Sequence, residues 1–173
     1  ESRLARLQRY SNLGPLTRLT FENLVPAGRS SDQANQELFK KAAAQAQEFA
    51  REPRGWLVLQ GPSGSGKTHL AAAIASSCLA EGRLVFFVVA PDLLDHLRAT
   101  YAPASEISYD ELFETVKNSP ILVLDDLGAQ SATPWAQEKL YQIINHRYNH
   151  ELPTVFTTSM NLEEMEERIM TRL

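Results

Sequence analysis

The sequence contains little cysteine, no long apolar run and no large excess of either charge. A single cysteine among 173 residues excludes an internal disulfide framework and agrees with a reducing, cytoplasmic location. The longest apolar run, LVFFVVA at 84–90, is much shorter than the roughly 18 residues that cross a bilayer, so no membrane partner is expected. The net charge of −4 gives no overall attraction to nucleic acid, and any contact with DNA needs a local basic patch.

What the sequence does contain is an alternation of apolar strands and helical segments. The length allows one domain with a sizeable core, and uniformly apolar strands are typical of a parallel sheet sandwiched by helices. The predicted fold class is therefore α/β. The predicted strands are 56–60, 84–90, 121–126 and 153–159, and the predicted helices are about 32–51, 68–82, 91–101, 109–118, 134–149 and 161–170.

Residues 1–20 form a basic first segment, followed by a core domain at 21–173. The basic residues of the first segment are Arg3, Arg6, Arg9 and Arg18. This segment is interpreted either as a solvated linker or as a basic arm that contacts a partner or nucleic acid. Because the sequence stops inside a helical pattern, we expect the core domain to be incomplete at its C-terminal end.

The segment GPSGSGKT at 61–68 has the pattern of a phosphate-binding P-loop, since it follows a strand and opens a helix. Its glycines let the backbone curl with its N–H groups pointing inward, and the helix presents its positive end to bound phosphates. Lys67 would neutralise the β- and γ-phosphates, and the hydroxyl of Thr68 suits Mg²⁺. The predicted residues for binding ATP or ADP are Gly61, Pro62, Ser63, Gly64, Ser65, Gly66, Lys67, Thr68 and His69.

The strand ILVLDD at 121–126 supplies the carboxylates that complete such a site. We expect Asp125 to hold Mg²⁺ through water, together with Thr68, and Asp126 to position or activate the attacking water. One complete predicted strand separates ILVLDD from the P-loop strand in the sequence, which indicates that the two are not neighbours in the sheet. This spacing disfavours a small-molecule kinase, and the carboxylate pair next to the γ-phosphate favours water as the acceptor, hence ATP hydrolysis.

The fourth predicted strand ends in three hydroxyl side chains, Thr157, Thr158 and Ser159. In a sheet of this kind, a polar side chain at that point lies between the two carboxylates and the γ-phosphate. We take Ser159 as the candidate that senses the γ-phosphate.

With these motifs the sequence resembles the DnaC/DnaI-type replicative helicase loaders, a branch of the AAA-plus ATPases that also includes the IstB-type transposition helpers. The resemblance covers nearly the whole chain. Its most specific stretches are ILVLDDLGAQ at 121–130 and TTSMNLEEMEERIMTRL at 157–173. It implies a P-loop NTPase fold of the AAA-plus type, with the fifth strand and the helical lid missing or truncated.

The same resemblance assigns further site residues. Phe21, Leu24 and Val25 match the stretch that lines the adenine pocket. Arg172 matches the arginine finger that reaches the γ-phosphate of a neighbouring subunit, with Arg168 as the second choice. The arginine finger implies self-association through this side of the domain.

The implied function is that of an ATP-hydrolysing loader that assembles with a hexameric replicative helicase on single-stranded DNA. The helical region at 92–118 resembles the insertion that builds such proteins into filaments. Family members often have asparagine where this sequence has Ser159, and without a lid we expect weak hydrolysis by this chain alone. Two alternatives stay open: an IstB-like transposition helper, and a nucleotide-dependent binding switch with little catalysis.

Other polar and aromatic residues have more ordinary interpretations. His146 and His150, four residues apart on a helix, form either half of a metal site or a solvated face, and we favour the latter. Trp56 and Trp135 either stack on bases or pack in the core, and we favour packing. The remaining cations are scattered rather than clustered: Arg83, Arg98, Lys117, Lys139 and Arg147.

Overall fold

The computed structural model describes residues 14–24, 32–62, 64–100, 108–128 and 133–161, together with residue 163. The elements are a short 3-10 helix (Gly14–Leu16), α1 (Gln33–Arg51), β1 (Trp56–Gln60), α2 (Lys67–Ala80), β2 (Val85–Val89), α3 (Ala90–Ala99), α4 (Tyr109–Asn118), β3 (Ile121–Leu127), α5 (Pro134–Asn149) and β4 (Thr154–Thr158). All four predicted strands are confirmed. So are the predicted helices up to residue 149, each to within two residues at either end.

Several predicted features lie outside the described residues. They are the first part of the basic segment, up to residue 13, the helix predicted after Asn161, and the site candidates Val25, Ser63, Arg168 and Arg172. Each of these stays a prediction.

The four strands form a parallel sheet in the order β1–β4–β3–β2. β4 therefore lies between the strand that leads into the P-loop and the strand that carries the aspartate pair, which confirms the prediction that these two strands are not neighbours. In the register, Thr158 pairs with Gln60, and Asp125 pairs with Val89. The carboxyl ends of all four strands thus meet at one edge of the sheet.

Alternate side chains of each strand point to opposite faces of the sheet, and helices cover both faces. On one face, Phe86, Leu124 and Phe156 pack in a cluster with residues of α3, α4 and α5. On the other face, Phe87, Val123 and Val155 pack in a cluster with residues of α1 and α2. The predicted sandwich is confirmed. Within the described ranges, no helix is both long enough and apolar enough to span a membrane.

Helix starts differ in a way that matters for the site. Asp32, Ser108 and Thr133 each accept a hydrogen bond from a first-turn backbone N–H, and so cap α1, α4 and α5. The N-caps of α2 and α3 are Gly66 and Val89, and neither helix start is capped by a side chain. The first N–H groups of α2, which follows the glycine-rich loop, are therefore available to a bound anion.

Arg147, expected to be one of several scattered cations, is instead a fully buried residue of α5. Its guanidinium donates to Thr154 Oγ1 and to four backbone carbonyls, those of Val116, Lys117, Ser119 and Pro153. Burial lowers the pKa of Arg147 to about 10, which still leaves it charged near neutral pH. It ties α5 to the end of α4 and to the start of β4.

Candidate nucleotide-binding site

The loop between β1 and α2 has the backbone of a phosphate-binding turn. Gly64 has φ of 80° and Gly66 has φ of 94°, a left-handed region that favours glycine. A Cβ atom on Gly66 would also lie only 2.7 Å from Cε2 of Phe39, a residue of α1. The sequence predicted the glycines, but nothing in it indicated that α1 packs directly against this loop.

Lys67 is the first residue of α2, and its side chain points back into the loop that precedes it. Its Nζ donates to the carbonyl oxygens of Gly61, at 2.6 Å, and Pro62, at 2.7 Å. Burial lowers the pKa of Lys67, and the charges of Asp125 and Asp126 oppose that effect. The ammonium group is thus held at the centre of the loop, where phosphates would bind.

Thr68 and Asp125 meet across the sheet edge. The Thr68 hydroxyl lies 3.2 Å from each carboxylate oxygen of Asp125, although 57 positions separate the two residues. A hydroxyl beside a carboxylate is a pair of hard oxygen donors of the kind that Mg²⁺ prefers. These two predicted metal ligands are therefore brought together, and their chemistry fits the ion.

Asp125 is a buried carboxyl, only 4% exposed. Burial raises the pKa of Asp125, while hydrogen bonds from Thr157 and Thr68 and the charge of Lys67 lower it. The ionised form is therefore costly unless positive charge or hydrogen-bond donors surround it. A divalent cation beside Thr68 would provide such a charge.

Asp126 lies on a β-bulge in β3. Leu124 pairs with Phe156 and Leu127 pairs with Thr158, so three steps along β3 oppose two along β4. Asp126 has φ of 59° and an exposed side chain. The bulge inserts one residue, which brings Leu127 back to the same core as Leu124 and separates the environments of the two aspartates.

The end of β4 lies beside the bulge. The hydroxyl of Thr157 donates to Asp125 Oδ1 at 2.5 Å and accepts from the backbone N–H of Asp126 at 2.8 Å. The sequence predicts a polar end for this strand, with Ser159 as the candidate sensor. Ser159 is exposed just beyond β4, and its assignment as the sensor stays a prediction.

A cleft of about 250 Å³ opens next to the loop. Its lining residues are Arg18, Leu19, Gly64, Gly66, Lys67, Thr68 and His69. The sequence predicts Arg18 only as part of the basic segment, and Leu19 is not among the predicted site residues. The sequence does contain one indication of their role, because Arg18 and Leu19 come directly before the segment TFENL at 20–24.

His69 connects this cleft to the N-terminal segment. Its Nε2–H tautomer donates to the carbonyl oxygen of Thr20 at 2.8 Å. Phe21 and Leu24, predicted for the adenine pocket, pack against the α1–α2 core. Their predicted contact with adenine stays a prediction, as does the predicted role of His69 in nucleotide binding.

The other polar and aromatic residues lie in ordinary environments. The His146 ring stacks on His150 and donates from Nε2 to Asn118, and the described residues contain no group of three or more His, Cys, Asp or Glu side chains that could hold a metal ion. Trp56 and Trp135 pack against the α3–α5 cluster. The packing of the two tryptophans agrees with the interpretation favoured from the sequence.

A P-loop that opens α2, facing an aspartate pair on a strand that is not adjacent to β1, defines the class of P-loop NTPases of the AAA-plus type. Within this class the chain belongs to the IstB-like ATP-binding protein family, whose profile matches residues 27–171.

Two curated relatives are named as helicase loaders. The replicative helicase loader DnaC of Escherichia coli K12 is 29% identical over an alignment of 181 positions, which covers 100% of this chain and 71% of the relative. The replicative helicase loader DnaI of Bacillus subtilis is 31% identical over 111 residues, which cover 64% of this chain and 35% of the relative.

A crystal structure of the DnaC helicase loader has the same architecture. It superposes with a TM-score of 0.71 at 26% identity, and the match covers 88% of both chains. The predicted AAA-plus fold and the predicted family are therefore both confirmed.

Proposed function

We propose that the chain binds ATP with Mg²⁺ at the P-loop, hydrolyses it, and uses this cycle to assemble with a replicative helicase on single-stranded DNA. The observation that carries the proposal is the contact of Thr68 with both oxygens of Asp125. That contact joins the loop that would hold the phosphates to the carboxylates that would hold the metal ion.

Each residue of the loop has a physical task in this proposal. The backbone N–H groups at the start of α2 bind phosphate oxygens, and Lys67 neutralises the charge on the β- and γ-phosphates. Thr68 and Asp125 hold the ion, directly or through water. Bound Mg²⁺ would supply positive charge that stabilises the leaving diphosphate. Phe21, Leu24 and Val25, or the nearer Arg18 and Leu19, would contact the nucleoside.

Hydrolysis requires a group that orients water and a group that stabilises charge on the transferred phosphoryl. The exposed Asp126 is proposed for the first task, because its bulge turns it away from the buried Asp125. Ser159 is proposed to sense the γ-phosphate. Arg172 from a second copy of the chain is proposed for the charge, since a guanidinium stays protonated and binds two phosphate oxygens at once.

The role in helicase loading rests on the relatives. The match to DnaC of E. coli covers the whole of this chain, and the name of that relative describes a loader of the replicative helicase. A second candidate function is supported by the matching family profile, which is described as IstB-like. On that reading the same ATPase would recruit a transposase to DNA. Capture of the replicative helicase, rather than a transposase, by the full-length protein would separate the two.

Replacement of Lys67 tests nucleotide binding directly. Lys67→Ala should weaken binding of ATP at least about tenfold, because a charge-assisted contact worth roughly 1.5–3 kcal/mol is lost. Binding can be followed with a fluorescent ATP analogue. Lys40→Ala, an exposed lysine of α1, is the matched control. An unchanged affinity in Lys67→Ala would contradict the proposed site.

Release of inorganic phosphate tests the catalytic part of the proposal. The full chain should release phosphate in the presence of single-stranded DNA and the helicase, and Asp126→Asn should stop the release while nucleotide still binds. If wild-type protein binds ATP but never turns it over, the chain is a nucleotide-dependent switch instead.

A further inference from the structure

Thr157 is a buried polar side chain on β4, a strand that is paired on both sides. It is only 1% exposed and lies on the face of β4 that is otherwise directed at the apolar α1–α2 core. A valine at this position would suit a doubly covered strand equally well. The hydroxyl must therefore be explained by what it contacts.

That hydroxyl contacts both aspartates through one oxygen atom. A threonine hydroxyl has one proton to donate and can accept through its lone pairs. The proton is donated to Asp125 Oδ1, at 2.5 Å, and the oxygen accepts from the N–H of Asp126, at 2.8 Å. The direction of the donated bond is thereby fixed, because the amide of Asp126 can only donate.

The two bonds compensate for the β-bulge at Asp126 and for the burial of Asp125. The Asp126 amide lies at the β-bulge, where the regular ladder between β3 and β4 is interrupted, and Thr157 provides its acceptor. The buried carboxylate of Asp125 receives bonds from two sides, from Thr157 on β4 and from Thr68 on α2. Two donors on different elements hold the plane of the carboxylate.

We propose that Thr157 is a positioning residue, whose hydroxyl aligns the Asp125 carboxylate with Thr68 for Mg²⁺ and holds Asp126 on its bulge. Thr157 acts through the aspartates and itself contacts neither the ion nor the phosphates. This inference rests on the proposed function, and it assigns to Thr157 the coupling between Mg²⁺ and the nucleotide.

Thr154 offers a matched control on the same strand. It is also fully buried, donates to the carbonyl oxygen of Leu152, and accepts from Arg147 Nε. It lies at the opposite end of β4, roughly 10 Å from Thr157 at the usual rise of a strand. Valine at either position therefore removes one donated and one accepted bond from the same strand, but only one of the two changes touches the aspartates.

The test measures the affinity of a fluorescent ADP analogue for the full chain, once with Mg²⁺ and once with EDTA. Wild-type protein and Thr154→Val should bind more tightly with Mg²⁺. Thr157→Val should lose about ten- to a hundredfold of affinity with Mg²⁺, as metal sites do when a group that orients a ligand is removed. Its affinity in EDTA should stay near the wild-type value, because the loop itself is unchanged. Thr157→Ser should restore the effect of Mg²⁺.

The outcomes separate this inference from the proposed function. The positioning role is overturned if Mg²⁺ strengthens binding to Thr157→Val as much as it strengthens binding to the wild type. It is also overturned if Thr154→Val loses as much affinity as Thr157→Val. Either result leaves nucleotide binding by the loop intact. No binding by wild-type protein under either condition would overturn the proposed function itself. If Thr157→Val does not fold, Thr157→Cys replaces the hydroxyl by a weaker donor and should show a partial loss of the Mg²⁺ effect.

Discussion

Gly64 and Gly66 have the same kind of backbone but different surroundings. Both have positive φ, at 80° and 94°. Among the described residues, chain neighbours aside, no atom lies within 4 Å of a Cβ built on Gly64, whereas a Cβ on Gly66 would meet the Phe39 ring at 2.7 Å. At the level of single residues, one glycine is therefore required by conformation alone and the other by conformation and space.

Alanine substitutions should separate these two requirements. Gly64→Ala should lower the free energy of unfolding by about 1–2 kcal/mol, the cost of a left-handed residue with a side chain. Gly66→Ala should cost more, because Phe39 must also move. Adding Phe39→Leu to Gly66→Ala should recover part of the difference. Urea unfolding followed by circular dichroism measures all three, and equal losses for the two glycines would show that Phe39 yields without cost.

Some residues of the site could be predicted from the sequence, and others could not. The P-loop residues and both aspartates were identified from spacing, because their chemistry is tied to a short, ordered pattern. Thr157 and Phe39 were not, since a threonine at a strand end and a phenylalanine on an amphipathic helix have common explanations. Their roles depend on which elements pack together, and local sequence does not contain that information.

At the level of elements, Arg147 links three parts of the chain that are distant in sequence. Its five hydrogen bonds reach the end of α4, Ser119 two residues before β3, and the start of β4. The four carbonyl oxygens that accept from Arg147 lie at the ends of helices and strands or in the segments between them. Without Arg147 the carbonyl of Pro153 would keep its bond from the backbone N–H of Leu122, but the other three carbonyls would lose the guanidinium as their donor.

Arg147→Met should destabilise the protein by roughly 3 kcal/mol or more, because it fills the space but leaves several buried carbonyls unpaired. Arg98→Met on α3 is the control. Arg98 lies 4.5 Å from the Trp135 ring centre and pairs with Asp95 at an exposed site, so its loss should cost less than about 1 kcal/mol. Comparable melting temperatures for the two variants would show that water replaces the guanidinium.

The elements themselves were largely predictable, and the exceptions have physical causes. The strands are short apolar runs bounded by glycine, proline or charge, and the structure places them within one residue of the predicted ends. The bulge in β3 was not predicted, because ILVLDDL reads equally well as a regular strand. The burial of Arg147 was not predicted either, since α5 has polar residues on several sides and its inner face depends on α4.

At the level of the whole molecule, the fold brings the ends of β1, β3 and β4 together with the start of α2. A ligand bound there would contact only the folded state, so it should stabilise the domain as a unit. The described N-terminal residues 14–24 should be stabilised as well, because His69 of α2 donates to the carbonyl oxygen of Thr20.

Thermal unfolding should report this linkage. ADP with Mg²⁺ at one hundred times its dissociation constant adds about 2.7 kcal/mol, which corresponds to a rise in melting temperature of roughly 5–10 °C for a chain of this size. AMP, which lacks the phosphates that the loop would hold, should give little or no rise at the same concentration. An equal rise with AMP would place the ligand away from the loop.

The order of the strands has a consequence for how this domain can diverge. β4 is paired on both sides, so its sequence is constrained along most of its length by the packing of two cores. Its final residues, Thr157 and Thr158, are buried as well, but their hydroxyls bond to Asp125 and to the carbonyl of Leu127, between the phosphate loop and the acidic strand. A change of one side chain there meets both halves of the site at once, so relatives could differ in nucleotide response while keeping the same scaffold.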